Sequence, residues 1–208
     1  MNLIIYQFKA VLYDDRKEYL KDIGKNNKRN EENHMETKTT TNAKITTKEL
    51  VITALFIALT YVFTAFINVK LPIAANGGLI HLGNIPLFIG AILFGKRTGC
   101  LAGGIGMGLF DLLSGWTAWA PFTLIIVGLM GYVVGAITEN RKKYGWYILA
   151  LVAACAIKVV GYYIAEIILY GNFLAPVSSI PGNLLQIGVA AVVTLIIIEP
   201  LKLAAERI

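Results

Sequence analysis

Charge is scarce in this chain, and so are the residues that build metal centres and disulfides. Only 15% of its 208 residues are charged, and it holds two cysteines and two histidines. Cys100 and Cys155 both fall inside apolar runs, where they read as small packing residues. No HExxH, nucleophile elbow or metal-ligand spacing occurs, so neither catalysis, a metal nor a cofactor is expected. The stretch "GAILFGKR", Gly90 to Arg97, approaches the phosphate-binding pattern GxxxxGK[ST]. Arg97 stands where that pattern needs a hydroxyl, and the residues between are apolar helix rather than a loop after a strand. Energy for any active transport therefore has to come from a partner or an ion gradient. With 56% hydrophobic residues and a mean hydropathy of +0.64, no soluble domain of ordinary size is expected.

What is present is a nearly continuous apolar tract from Leu50 to Leu203. It divides into six expected spans: Leu50–Ile67, His81–Gly95, Thr98–Ser114, Ala120–Thr138, Trp146–Tyr170 and Gly182–Leu201. The second is shorter than the roughly 20 residues that cross hydrocarbon perpendicularly, so its helix is expected to start deep or break near Pro86. Lys96, Arg97, Arg141, Lys142 and Lys143 fall at alternate junctions, Lys38, Lys44 and Lys48 precede the first span, and Lys202 and Arg207 follow the last. The opposite junctions carry only Lys70. The positive-inside rule then predicts an all-α, polytopic six-helix bundle with both termini in the cytoplasm of a prokaryotic cell. The net charge of +6 belongs to these junctions and marks topology, not a nucleic-acid surface.

Residues 1–45 differ in kind. The mixed-charge tract "KNNKRNEENHMETKTTTNAK" cannot bury a core, so a disordered cytoplasmic tail is expected before a membrane domain over 46–208. "MNLIIYQF" lacks a basic region and a long apolar run, and so does not read as a signal peptide. Met35 opens a short polar leader, which makes residues 1–34 read as an over-extended translation start, with an amphipathic surface segment as the alternative.

Small residues and intramembrane polar groups carry the remaining information. Ala54 and Ala58 lie one turn apart on the first span, and Gly99, Gly103, Gly104, Gly108, Gly131 and Gly135 recur at helix-packing spacings. In the fifth span Lys158, Tyr162 and Glu166 stand at i, i+4 and i+8, hence on one inward face. About 12 Å of helix rise separates the two charges, too far for direct contact without a bridge. Asn183 and Gln186 begin the sixth span, Asp111 ends the third before Trp116 and Trp119, and His81 and Asn84 open the second. Nearly all of these fall in the outer half, which suggests a cavity open to the outside. Trp116, Trp119, Tyr162 and Tyr170 equally suit an interfacial aromatic belt, Lys158 and Glu166 a structural role, and His81 a helix cap.

Together, the six short spans with both ends inside, the Ala54–Ala58 pair, the long first outer loop, "GGLIHLGNIPLFIGAILFG" and "GMGLFDLLSGWTAWAPFT" carry a family resemblance. From about Thr46 to Leu203 the chain resembles the substrate-binding S components of energy-coupling factor (ECF) vitamin transporters, particularly the riboflavin-transporter-like group. The resemblance implies that Ala54 and Ala58 pack on a transmembrane coupling subunit that works with two cytoplasmic ATPases. It implies that the loop near Asn68–Leu79 closes over the ligand, and that the pocket uses Trp119, Lys158, Tyr162, Glu166, Asn183 and Gln186, with Asp111 less firmly placed. A mostly apolar pocket with a few placed polar groups would stack and orient a vitamin ring without covalent chemistry, and the loaded protein would topple to release it inside. Riboflavin, pyridoxine and hydroxymethylpyrimidine all suit such a face. A stand-alone secondary transporter is the alternative, although no inverted repeat of broken spans is evident. An intramembrane enzyme using His81, Asp111 and Lys158 is the more distant one.

Overall fold

The computed structural model describes Lys21, Gly24, Lys25 and residues 45–70, 79–141 and 143–205. The expected tail, the Met35 start, the middle of the first loop (71–78) and Lys142 lie outside these residues, apart from the three named near the start.

Helix α1, Thr47–Phe66, begins at Thr46, whose hydroxyl accepts from the Glu49 backbone N–H at 3.1 Å. Its buried residues, Thr53, Phe56, Thr60 and Thr64, form one narrow stripe. Ala54 and Ala58 lie on the exposed remainder. The chain then makes a short antiparallel hairpin of β1, Asn68–Lys70, and β2, Leu79–His81, with Asn68 opposite His81. This hairpin departs from the all-helical expectation. It also moves His81 out of the second span, because residues 79–81 pair as a strand and helix α2, Asn84–Leu113, starts at Asn84.

Two of the expected spans form the arms of α2. They are separated by Gly95, whose φ of 88° and ψ of 179° interrupt the helical backbone, a conformation that glycine alone adopts without strain. The chain turns back on itself there. A Cβ added at Gly103 would lie 2.7 Å from the Leu87 side chain, and one at Gly99 would lie 2.5 Å from Ala91. In a straight helix residues sixteen and eight apart are separated by about 24 and 12 Å, so these approaches require the two arms to pack antiparallel. Residues 84–91 of the first arm are all buried, which explains why the segment after Asn84 is apolar on every side.

Helix α3, Ala120–Thr138, packs on the second arm through glycine. A side chain at Gly131 would collide with the Gly99 carbonyl, and one at Gly135 with the Lys96 backbone. Helix α4, Tyr144–Tyr170, ends at Gly171 in the left-handed conformation (φ 62°). A 3-10 turn, Ala175–Ser179, leads into α5, Ile180–Ala205. Pro200 lies inside α5, where proline removes a backbone donor, and the Tyr144 hydroxyl donates to the nearby Leu195 carbonyl at 3.0 Å. Five helices among the described residues are long and apolar enough to cross a membrane, and the chain is a multi-pass membrane protein.

Charged side chains gather at one end. Lys96 pairs with Glu139 at 2.8 Å and Arg97 with Glu49 at 3.9 Å. These contacts bring the start of α1, the Gly95 reversal and the end of α3 together. Lys202 lies 3.9 Å from Glu199, and Arg141 stacks over Trp146 at 3.8 Å.

Candidate ligand-binding site

At the end remote from those ion pairs lies a cavity of about 330 Å³, within the size range of small-molecule sites. Helix α4 supplies its most distinctive wall. Lys158, Tyr162 and Glu166 point into it from successive turns, and Lys158 and Glu166 are each only 2% exposed. The four-residue spacing stacks the three side chains on one face, as the sequence predicts.

The Lys158 ammonium lies 5.0 Å from the centroid of the Tyr162 ring. It makes no hydrogen bond or ion pair with any of the described residues. Glu166 instead accepts a hydrogen bond from the Ser179 hydroxyl at 2.8 Å, which ties α4 to the residue just before α5. A carboxylate there faces the positive end of the α5 dipole.

Aromatic rings form the second wall. Trp119 stands 6.2 Å from Tyr162 and 6.1 Å from Tyr170, centroid to centroid. The Tyr162 hydroxyl and the Thr123 hydroxyl lie 3.0 Å apart. Asp111, from the second arm of α2, and Trp116 complete this side. The third wall comes from α5 and the hairpin: Asn183 and Gln186 line the cavity with His81 and Ile80. The Gln186 amide donates to the His81 carbonyl at 3.2 Å, fastening α5 to β2. The His81 ring, half-buried, accepts from the Gly83 N–H at 3.3 Å. Desolvation, and secondarily the Lys158 charge, hold its pKa well below the usual 6.5, so it stands neutral.

Eight residues singled out in the sequence thus meet in one cavity: His81, Asp111, Trp119, Lys158, Tyr162, Glu166, Asn183 and Gln186. Asn68 is not among the lining residues. Its amide donates to the Thr64 and Ala65 carbonyls at 2.9 and 2.7 Å, closing the end of α1. Asn84 is also absent from the lining; it is fully enclosed, and its amide has no hydrogen-bond partner among the described residues. Thr123, Ser178 and Ser179 line the cavity without having been singled out. Thr123 had a legible signal, one turn beyond Trp119 on the same face of α3. Ser179 had a weaker one, a hydroxyl residue just ahead of the Ile-Pro-Gly that opens α5.

Residues 44–203 match the model of the family described as the ECF-type riboflavin transporter, S component. The chain belongs to this family. It is 38% identical over 103 residues to an uncharacterized protein of Pyrococcus woesei, covering 50% of this chain and 69% of that one. It is 32% identical over 124 residues to the thiamine precursor transporter HmpT of Lactococcus lactis subsp. cremoris, covering 60% of this chain and 70% of HmpT. A solved structure described as the S component of a bacterial ECF transporter superposes with a TM-score of 0.62 at 18% identity, over 74% of this chain and 95% of that one. That likeness establishes the shared fold. The matched family and the matched structure are those of transporter S components, and HmpT is a transporter, not an enzyme, so the alternative of an intramembrane enzyme falls away.

Proposed function

We propose that this S component captures a heteroaromatic B-group vitamin or vitamin precursor from outside the cell and delivers it inward with a coupling subunit and two ATPases. The observation that carries this reading is the cavity itself: an aromatic wall of Trp119 and Tyr162 facing a nearly buried ammonium at Lys158 that has no hydrogen bond or ion pair among the described residues. A planar ring stacked on the aromatic wall would offer an acceptor to Lys158. Asp111, Glu166, Asn183 and the second amide function of Gln186 would receive its polar edges. Riboflavin, from the family description, and hydroxymethylpyrimidine, named from the sequence and in keeping with the description of HmpT as a thiamine precursor transporter, are the two substrates to be tried first.

In this reading the chain crosses the membrane six times, with the two arms of α2 as separate crossings, and the charged end faces the cytoplasm. The cavity then opens outward. Residues 1–45 form a cytoplasmic tail, and residues 46–208 the substrate-binding domain. The exposed Ala54–Ala58 face of α1 gives a coupling subunit a surface on which a helix can approach closely.

The decisive assay is uptake in liposomes. Uptake of the vitamin only when the coupling subunit, ATPases and ATP are present is expected. Uptake by the isolated protein on an ion gradient would instead make it a secondary transporter. Impermeant labelling of a cysteine placed at 142 tests the orientation, and labelling from outside would reverse it.

A further inference from the structure

The cavity's charges carry an inference about the chemical form of the ligand, and it rests on the reading of this chain as a vitamin-capturing subunit. The described lining holds two carboxylates, Asp111 and Glu166, against a single ammonium, Lys158, and His81 stands neutral beside them. Glu166 is 2% exposed and Asp111 comes from a different helix, so the negative charge is distributed on two walls. An anion entering this space would meet both in a poorly screened environment.

Two features could still have favoured an anion, and a carboxylate of the protein acts on each. The N-terminus of α5, where Pro181, Gly182 and Asn183 line the cavity, is the natural seat for a phosphate. The Glu166 carboxylate stands there, held by the Ser179 hydroxyl at 2.8 Å. Lys158 is the other, and the charge of Asp111 acts on it. One ammonium facing a carboxylate is suited to a neutral acceptor such as a ring carbonyl or ring nitrogen. A phosphate monoester needs several donors converging on it, and no such set is found among the described lining residues.

We infer that the cavity accepts its ligand as the unphosphorylated, neutral or cationic heterocycle and rejects the phosphate ester, with Asp111 and Glu166 as the discriminating residues. Like charges brought together at a buried interface cost enough to change affinity by on the order of a hundredfold. Specificity here comes from repulsion as much as from fit.

The test is calorimetric titration of the purified full chain with two probe pairs, riboflavin and riboflavin phosphate, and hydroxymethylpyrimidine and its phosphate. In the pair that binds, the ester should bind about a hundredfold more weakly than the alcohol. Asp111→Asn or Glu166→Gln should narrow that ratio by about tenfold; in Glu166→Gln the new amide can still accept from Ser179. Two variants at separate sites guard against the misfolding of either one, with elution as a folded species as the check. An ester that binds as well as the alcohol overturns the proposal, and so does a ratio that neither substitution changes. If no member of either pair binds, the vitamin reading fails and this proposal fails with it, an outcome distinct from equal binding of ester and alcohol.

Discussion

At the charged end of the bundle, Lys96 and Glu139 stand 2.8 Å apart and both are partly exposed, while Arg97 reaches Glu49. At the cavity end, Lys158 is almost completely buried and has neither a hydrogen bond nor an ion pair among the described residues. The first arrangement is what a solvated surface does with its charges, and each such pair contributes about 0–1 kcal/mol. The second is costly, since removing an ammonium from water without a partner is penalised by several kcal/mol. Stability alone gives no reason to retain it. A buried cation with no hydrogen bond or ion pair among the described residues is suited to a ligand that supplies an acceptor.

The strongest way to break this contrast is to remove the charges at the cavity end. Lys158→Met and Glu166→Gln should each lower vitamin affinity by at least about tenfold, as expected for a lost hydrogen bond to a charged group worth about 1.5–3 kcal/mol. For Lys158→Met the thermal stability of the ligand-free protein should hold or rise, because the cost of keeping an ammonium out of water is removed while an apolar chain is retained. A large fall in both stability and affinity would recast Lys158 as a structural residue.

Substitution on the outer face of α1 probes a region that belongs to neither end. Ala58→Trp should leave ligand titration unchanged while reducing co-purification of the coupling subunit, since the added ring separates two close-packed helices. Equal recovery of the partner would remove that face from the interface. At the charged end, Lys96→Met should change thermal stability little and leave vitamin affinity unaltered. The smallest effect belongs to Tyr170→Phe: Tyr170 packs edge-on against Trp119 but is 43% exposed, so calorimetry should detect little change.

The sequence exposes the α4 wall clearly because helical periodicity translates spacing into direction. Lys158, Tyr162 and Glu166 at i, i+4 and i+8 can only share a face. Ala120–Thr138 is legible to the residue, bracketed by Pro121 near its start and a polar, charged turn after it. The break at Gly95 is legible because Lys96 and Arg97 interrupt the apolar run, but the tightness of the reversal is harder to read, since a positive φ at one glycine accomplishes it. The hairpin is hidden for a different reason. Strands of three residues provide too little alternation to announce themselves, and His81 consequently reads as a helix start. Ser179 and Thr123 are missed because a hydroxyl in an apolar run gains meaning only from its partner, here Glu166 for one and Tyr162 for the other.

The most direct measurement is an experimental structure of the protein loaded with the small molecule that co-purifies with it. The account predicts density for a planar ring against Trp119 and Tyr162, with an acceptor atom within hydrogen-bond distance, about 2.7–3.2 Å, of the Lys158 Nζ. Ligand density elsewhere in the bundle, with Lys158 still unengaged, would contradict it.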